Sequence, residues 1–162
     1  MKAINQLYPH LLPVDAEVWQ QFLLNPPIAF DRFDYDVRIG LGVDPGDKYP
    51  PNYRKMCLDL SRMRIDAIGY TSTSIYIIEI TRHAGLKALG QLTAYPTLYR
   101  KSYPTTQIVI PYLVCLDFTT DMQTVFDSHD LAYWTPKTAV NQNKPRTATI
   151  DGKGGIDAHP NS

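Results

Sequence analysis

Two carboxylates, Asp66 and Glu79, stand in the run RIDAIGYTSTSIYIIEITRH at positions 64–83, each inside an apolar, strand-like stretch. Between them Ser72-Thr73 makes a polar turn, and the β-branched residues of 75–81 mark the second side as a strand. A hairpin symmetric about that turn sets Asp66 directly opposite Glu79, and Arg64 opposite Thr81. Opposed Cβ atoms lie roughly 4.5–5.5 Å apart, so two like charges placed there require a cation, a proton or a basic side chain between them. A hard divalent ion accepts oxygen ligands from two carboxylates and keeps waters for an incoming phosphate. An ordinary ion pair from Arg64, on the same strand, would neutralise the cluster without any chemistry. A slip of one residue in the hairpin would send one carboxylate to the opposite face.

The elements that must position this pair are readable from hydrophobic period. Residues 14–24 place Val14, Val18 and Phe22 at helical spacing, with Asp15 available as a cap and Asn25-Pro26-Pro27 ending the run. Residues 37–43 alternate Val37, Ile39, Leu41 and Val43 as a half-buried strand does. The turn formers of 44–53 predict a loop, and 53–63 fits either a helical turn or the run-in to the next strand. Strands follow at 64–71 and 75–81. Residues 85–100 return to helical spacing through Leu86, Leu89 and Thr93, with Pro96 expected to kink or end the helix because it has no N–H to donate. Residues 106–117 read as a buried strand in which Pro111 implies a bulge or an edge, and 121–130 as a last short helix.

Bulk properties narrow the function classes. A chain of 162 residues suits one domain with one core, assigned to residues 1–136. Sixteen basic and sixteen acidic residues leave no net charge, which argues against holding nucleic acid by general attraction. Cys57 and Cys115 form neither a disulfide framework nor a zinc motif. The N-terminal residues lack a signal-peptide pattern and the longest apolar run is too short to span a bilayer, so a soluble, cytoplasmic protein is expected.

The order helix, strands, helix, strand, together with the two acids, resembles the PD-(D/E)XK nuclease superfamily. The resemblance covers roughly residues 14–118. It implies an α/β fold with an αβββαβ core, a central mixed sheet flanked by helices, and metal ligands at Asp66 and Glu79 binding Mg²⁺ or Mn²⁺. Thr81 stands where the family places a lysine; a lysine moved to the following helix has its counterpart in Lys87, one turn before Gln91. Residues 91–95, QLTAY, are similar to the Gln-x-x-x-Tyr element of the RecB-like branch, which implies that Gln91 and Tyr95 both face the site. Glu17 is the candidate for an acid that some members carry on the first helix. His83 lies on the Glu79 face if the strand continues that far, and His10, His129 and His159 are too scattered to read as ligands.

Residues 95–104 interleave Tyr95, Tyr99 and Tyr103 with Arg100 and Lys101, a mixture suited to bases and phosphates or to a protein interface. Residues 137–162 carry few large apolar side chains, so they are expected to form an extended arm that binds other protein subunits. The missing lysine and this arm favour a non-catalytic assembly subunit on a nuclease scaffold, such as a head–tail or tail component of a phage particle, located in the virion. The alternative is an active Mg²⁺-dependent DNA nuclease using Asp66, Glu79, Lys87, Gln91 and Tyr95.

Overall fold

Among the described residues five strands form one sheet, with four helices around it. The computed structural model describes residue 8 and residues 10–137. In chain order the elements are α1 (Pro13–Leu24), β1 (Arg32–Ile39), α2 (Pro51–Ser61), β2 (Met63–Tyr70), β3 (Ser74–His83), α3 (Leu86–Ser102), β4 (Ile108–Asp117), α4 (Thr120–Ser128) and β5 (Ala132–Trp134). The strands form one mixed sheet in the order β1-β2-β3-β4-β5; β1, β2 and β3 are antiparallel neighbours, and β3, β4 and β5 run parallel. The expected αβββαβ order is present, with α2 inserted between its first two strands. The expected arm, residues 137–162, lies outside the described residues apart from Lys137.

Helices cover both faces of the sheet. Ala16, Val18, Trp19 and Phe22 of α1 pack on Ala67, Ile78, Ile80, Tyr112 and Val114. On the other face Tyr95 and Tyr99 of α3 pack on Ile39, Ile65, Ile68, Ile75, Ile77 and Val109, while Leu92 and Phe126 join Leu113 and Cys115. Val14 and Leu86, expected to face inward, are exposed instead. Each helix is rotated relative to the simplest reading of its spacing, because Ala16, Ala88 and Pro96 supply part of the buried stripes.

β1 departs most from expectation. It begins five residues earlier than the alternation suggested and stops at Ile39, leaving Leu41 and Val43 exposed. At Asp36 the backbone turns left-handed, with φ 54°. Tyr35 before it packs on the α1 side of the sheet and Val37 after it on the α3 side. β2 changes faces at the matching place, since Ala67 belongs to the α1 core and Ile65 to the α3 core. The period of two is therefore broken across both strands at Asp36 and Asp66.

Three smaller expectations are corrected. Residues 51–53 belong to α2, because Pro51 at its first turn has no N–H to leave unsatisfied there. Helix α3 continues through Pro96 to Ser102; Pro96 is buried against the sheet, and that packing offsets the lost hydrogen bond. Asp15 does not cap α1, whose start is set by Leu12 and Pro13. Pro111 sits in β4 just before the residues paired with β5, where that side of β4 is locally an edge. The three-residue β5 has no counterpart in the pattern analysis.

Helix α2 contributes no buried residue and is held mainly through its loop: Val43 N–H donates to Ser61 Oγ at 2.6 Å, and Arg54 pairs with Asp44 and Asp47. Gly42 adopts φ 74°, and a Cβ there would run into the Leu58 carbonyl. Gly42→Ala is expected to cost about 1–3 kcal/mol through this strain and clash. The loss should be read as faster amide exchange across α2 with the β3–β4 amides still protected; uniform protection loss would show that α2 belongs to the core.

Candidate functional site

The β2–β3 register is the symmetric one, running from Tyr70↔Ile75 to Ala67↔Ile78. There the backbone ladder ends. The next residue, Asp66, takes over with its side chain, accepting the Ile80 N–H at Oδ2, 2.9 Å away. Glu79 continues the Ile75–Ile77 face of β3, and both carboxylates line a cavity of about 290 Å³. The remaining wall comes from His10, Leu11, Leu12 and Asp15 at the start of α1, Thr81 and His83 on β3, and Lys87 and Gln91 on α3. The structure thus brings Asp66, Glu79, Lys87 and Gln91 to one place.

Several roles assigned from sequence change. Arg64 pairs with Asp36 on β1 at 3.1 Å and does not line the cavity, so it does not neutralise the carboxylate pair. Tyr95 does not reach the cavity; it is buried behind Gln91 and accepts the Gln91 Nε2–H at 3.0 Å, fixing that side chain from the core side. Glu17 is exposed and outside the cavity, and the acid that α1 does supply is Asp15, whose Oδ1 accepts the Arg82 N–H at 2.8 Å. The proposed base-stacking segment is also altered: Tyr99 is buried, while Arg100, which donates to the Val109 carbonyl at 3.1 Å, stays exposed with Lys101 and Tyr103.

Electrostatics in the cavity favour proton or cation uptake. Glu79 is 6% exposed, and burial together with the neighbouring Asp66 charge pushes its carboxyl up to about 8. Burial raises Asp66 too, against the lowering effect of the Ile80 N–H, and burial raises Asp15. The Lys87 charge acts on all three in the opposite sense, stabilising their ionised forms. Glu79 Oε2 and Gln91 Oε1 are buried acceptors with no hydrogen-bond partner among the described residues. Buried acceptors of this kind are normally satisfied, and here a proton on Glu79 or a cation beside it would do so.

An all-oxygen pair of carboxylates in a cavity with room for water fits a Mg²⁺- or Mn²⁺-type ion. Among the described residues no group of three or more His, Cys, Asp and Glu side chains is arranged to hold a metal on its own, so waters or substrate oxygens would complete the shell. Asp15 and His10 line the cavity without having been assigned to it, and Asp117, paired with His83 at its rim, left no signal in the sequence. His83 lies on the Glu79 face, as its period-two spacing suggested.

No protein-family model matches the chain, and no curated protein does. Among solved structures, one of an EndoMS–dsDNA2 complex is similar at 20% identity and a TM-score of 0.43, over 75% of this chain and 44% of that one. This chain therefore spans less than half the length of the chain it matches. No helix among the described residues is long and apolar enough to cross a membrane.

Proposed function

We propose that the cavity binds a divalent cation through Asp66 and Glu79 and hydrolyses phosphodiester bonds of a nucleic acid, as in the PD-(D/E)XK nucleases that the sequence resembles. The observation that carries this reading is Glu79 Oε2, buried, without a hydrogen-bond partner, and in one cavity with Asp66 and Lys87. When bound, the ion would polarise a phosphoryl oxygen as a Lewis acid and make a water molecule more acidic. The chain's own residues do the rest. Lys87 brings the positive charge that Thr81 lacks and stabilises negative charge developing on phosphate oxygens. Gln91, held by Tyr95, sets the position of Glu79, and Asp15 fixes the end of β3 through Arg82. Water adds to phosphorus, the bond to the leaving oxygen breaks, and a proton passes from that water to solvent while the leaving oxygen takes one up.

The second reading, a non-catalytic assembly subunit with residues 137–162 as its contact arm, is favoured by Thr81 in place of the lysine and by the zero net charge. One assay separates the two. Purified protein with Mn²⁺ or Mg²⁺ and labelled single- and double-stranded oligonucleotides should show cleavage, and Lys87→Met should slow it by about 10²-fold, in line with removal of one charge-stabilising group. Absence of cleavage by the parent protein would favour the assembly reading. Cleavage indifferent to Glu79→Ala would identify a contaminant.

A further inference from the structure

A second polar pair sits at the rim of the cavity, outside the groups assigned to the cation. Strand β3 runs on to His83, which lies in register with Asp117 at the end of β4. Two bonds hold this extension: Asp15 accepts the Arg82 N–H, and the Asp117 carbonyl accepts the Ala84 N–H at 3.0 Å. His83 follows Glu79 and Thr81 on one face of the strand, and all three line the cavity. Its Nδ1 lies 2.5 Å from Asp117 Oδ1, which leaves Nε2 as the ring nitrogen without a partner among the described residues. The two side chains are 66% and 48% exposed, and an ion pair that open to water adds little to stability, so the fold does not depend on it.

Spacing decides what this pair can touch. Strand geometry separates Glu79 from His83 by about 13 Å along β3. A phosphate seated between Asp66 and Glu79 is therefore short of His83, and the next phosphate of the same strand is within its reach. We propose that His83, oriented by Asp117, binds that neighbouring phosphate, so that the substrate is an oligonucleotide extending past the scissile bond toward the end of β3. The inference rests on the cavity being a phosphodiester site. With both ring nitrogens protonated, Nδ1–H donates to Asp117 and Nε2–H to a phosphate oxygen, two charge-assisted bonds in line. Asp117 acts here as a positioning residue. Across the cavity Lys87 adds to the attraction, while Asp15 and Glu79 confine the phosphate to the His83 side.

The test is equilibrium binding without turnover, with Ca²⁺ filling the carboxylate pair in place of Mg²⁺, using a fluorescein-labelled hexanucleotide and, by competition, a dinucleotide with a single phosphodiester. His83→Gln is expected to weaken hexanucleotide binding about tenfold, the loss of one charge-assisted bond, and to leave the dinucleotide unchanged. Asp117→Asn should weaken hexanucleotide binding less, and should add nothing when combined with His83→Gln. Equal effects on both probes, or no effect on either, would overturn the assignment. If the parent protein cleaves nothing but the His83-dependent difference persists, hydrolysis is refuted and the phosphate site stands. If the parent binds neither probe, the phosphate site falls, and hydrolysis stands or falls on the cleavage assay with Mg²⁺ or Mn²⁺.

Discussion

In EDTA the unfolding free energy of the protein should fall by on the order of 3 kcal/mol between about pH 5 and pH 8, and Glu79→Gln should remove most of that slope. The sign follows from the shift. Glu79 holds its proton in the folded protein up to about pH 8, whereas the unfolded chain releases it near the ordinary value of 4.5. Between those limits the folded state binds more protons than the unfolded one, so stability is fully present below the unfolded value and is lost as pH rises through the folded one. Asp66 and Asp15 are shifted in the same direction and add to the fall. Asp44, held down near 2 by Arg54, acts only below this window. Mg²⁺ or Mn²⁺ should restore stability to the parent protein at pH 8 and do little for the Gln variant. Urea titrations at several pH values measure this. A parent slope that survives Glu79→Gln would place the charged, buried carboxylate elsewhere and remove the main support for a cation site.

Trp19→Ala is expected to cost about 3–5 kcal/mol, close to the whole stability of many domains this size. Trp19 is fully buried, stacks on Phe22 at 5.0 Å between ring centres, meets Phe33 edge-on at 5.2 Å, and donates its Nε1–H to Tyr35 at 3.3 Å. Its ring contacts join α1 to β1, while those of Phe22 join it to β4 and β5. Removing it leaves a cavity at the joint between α1 and the strands, and the same joint holds Asp15 against Arg82. Trp19→Phe keeps most of the apolar area and should lose no more than about 2 kcal/mol. Chemical denaturation of the two variants gives the comparison. Near-equal, small losses would mean that α1 is held by its remaining contacts, and that the Asp15 wall does not depend on this packing.

Local pattern was enough for the mixed α/β order, the hairpin register about Ser72-Thr73 and the shared location of Asp66 and Glu79, while the family resemblance implied that Lys87 and Gln91 join them. The first three rest on periods of 2 and 3.6 residues and on turn chemistry, which are properties of contiguous segments. Local period could not show where it would be broken. Asp36, in a left-handed conformation that aspartate tolerates, turns β1 over, and the strand ends at Ile39 before the left-handed Gly40, so Leu41 and Val43 lie outside the sheet. Pro96 lies within a helix because the sheet buries it. Long-range packing set which partner each charge finds: Arg64 goes to Asp36, Asp15 to the backbone of β3, and His83 to Asp117. Those pairings join residues from 28 to 67 positions apart, with the exact separation set by how strands and helices pack. The chemistry of the cavity was therefore half legible. Its carboxylates are written in one hairpin, while the groups that orient and surround them arrive from α1, α3 and β4, brought there by burial of apolar faces that carry no record of which polar residues they will place side by side.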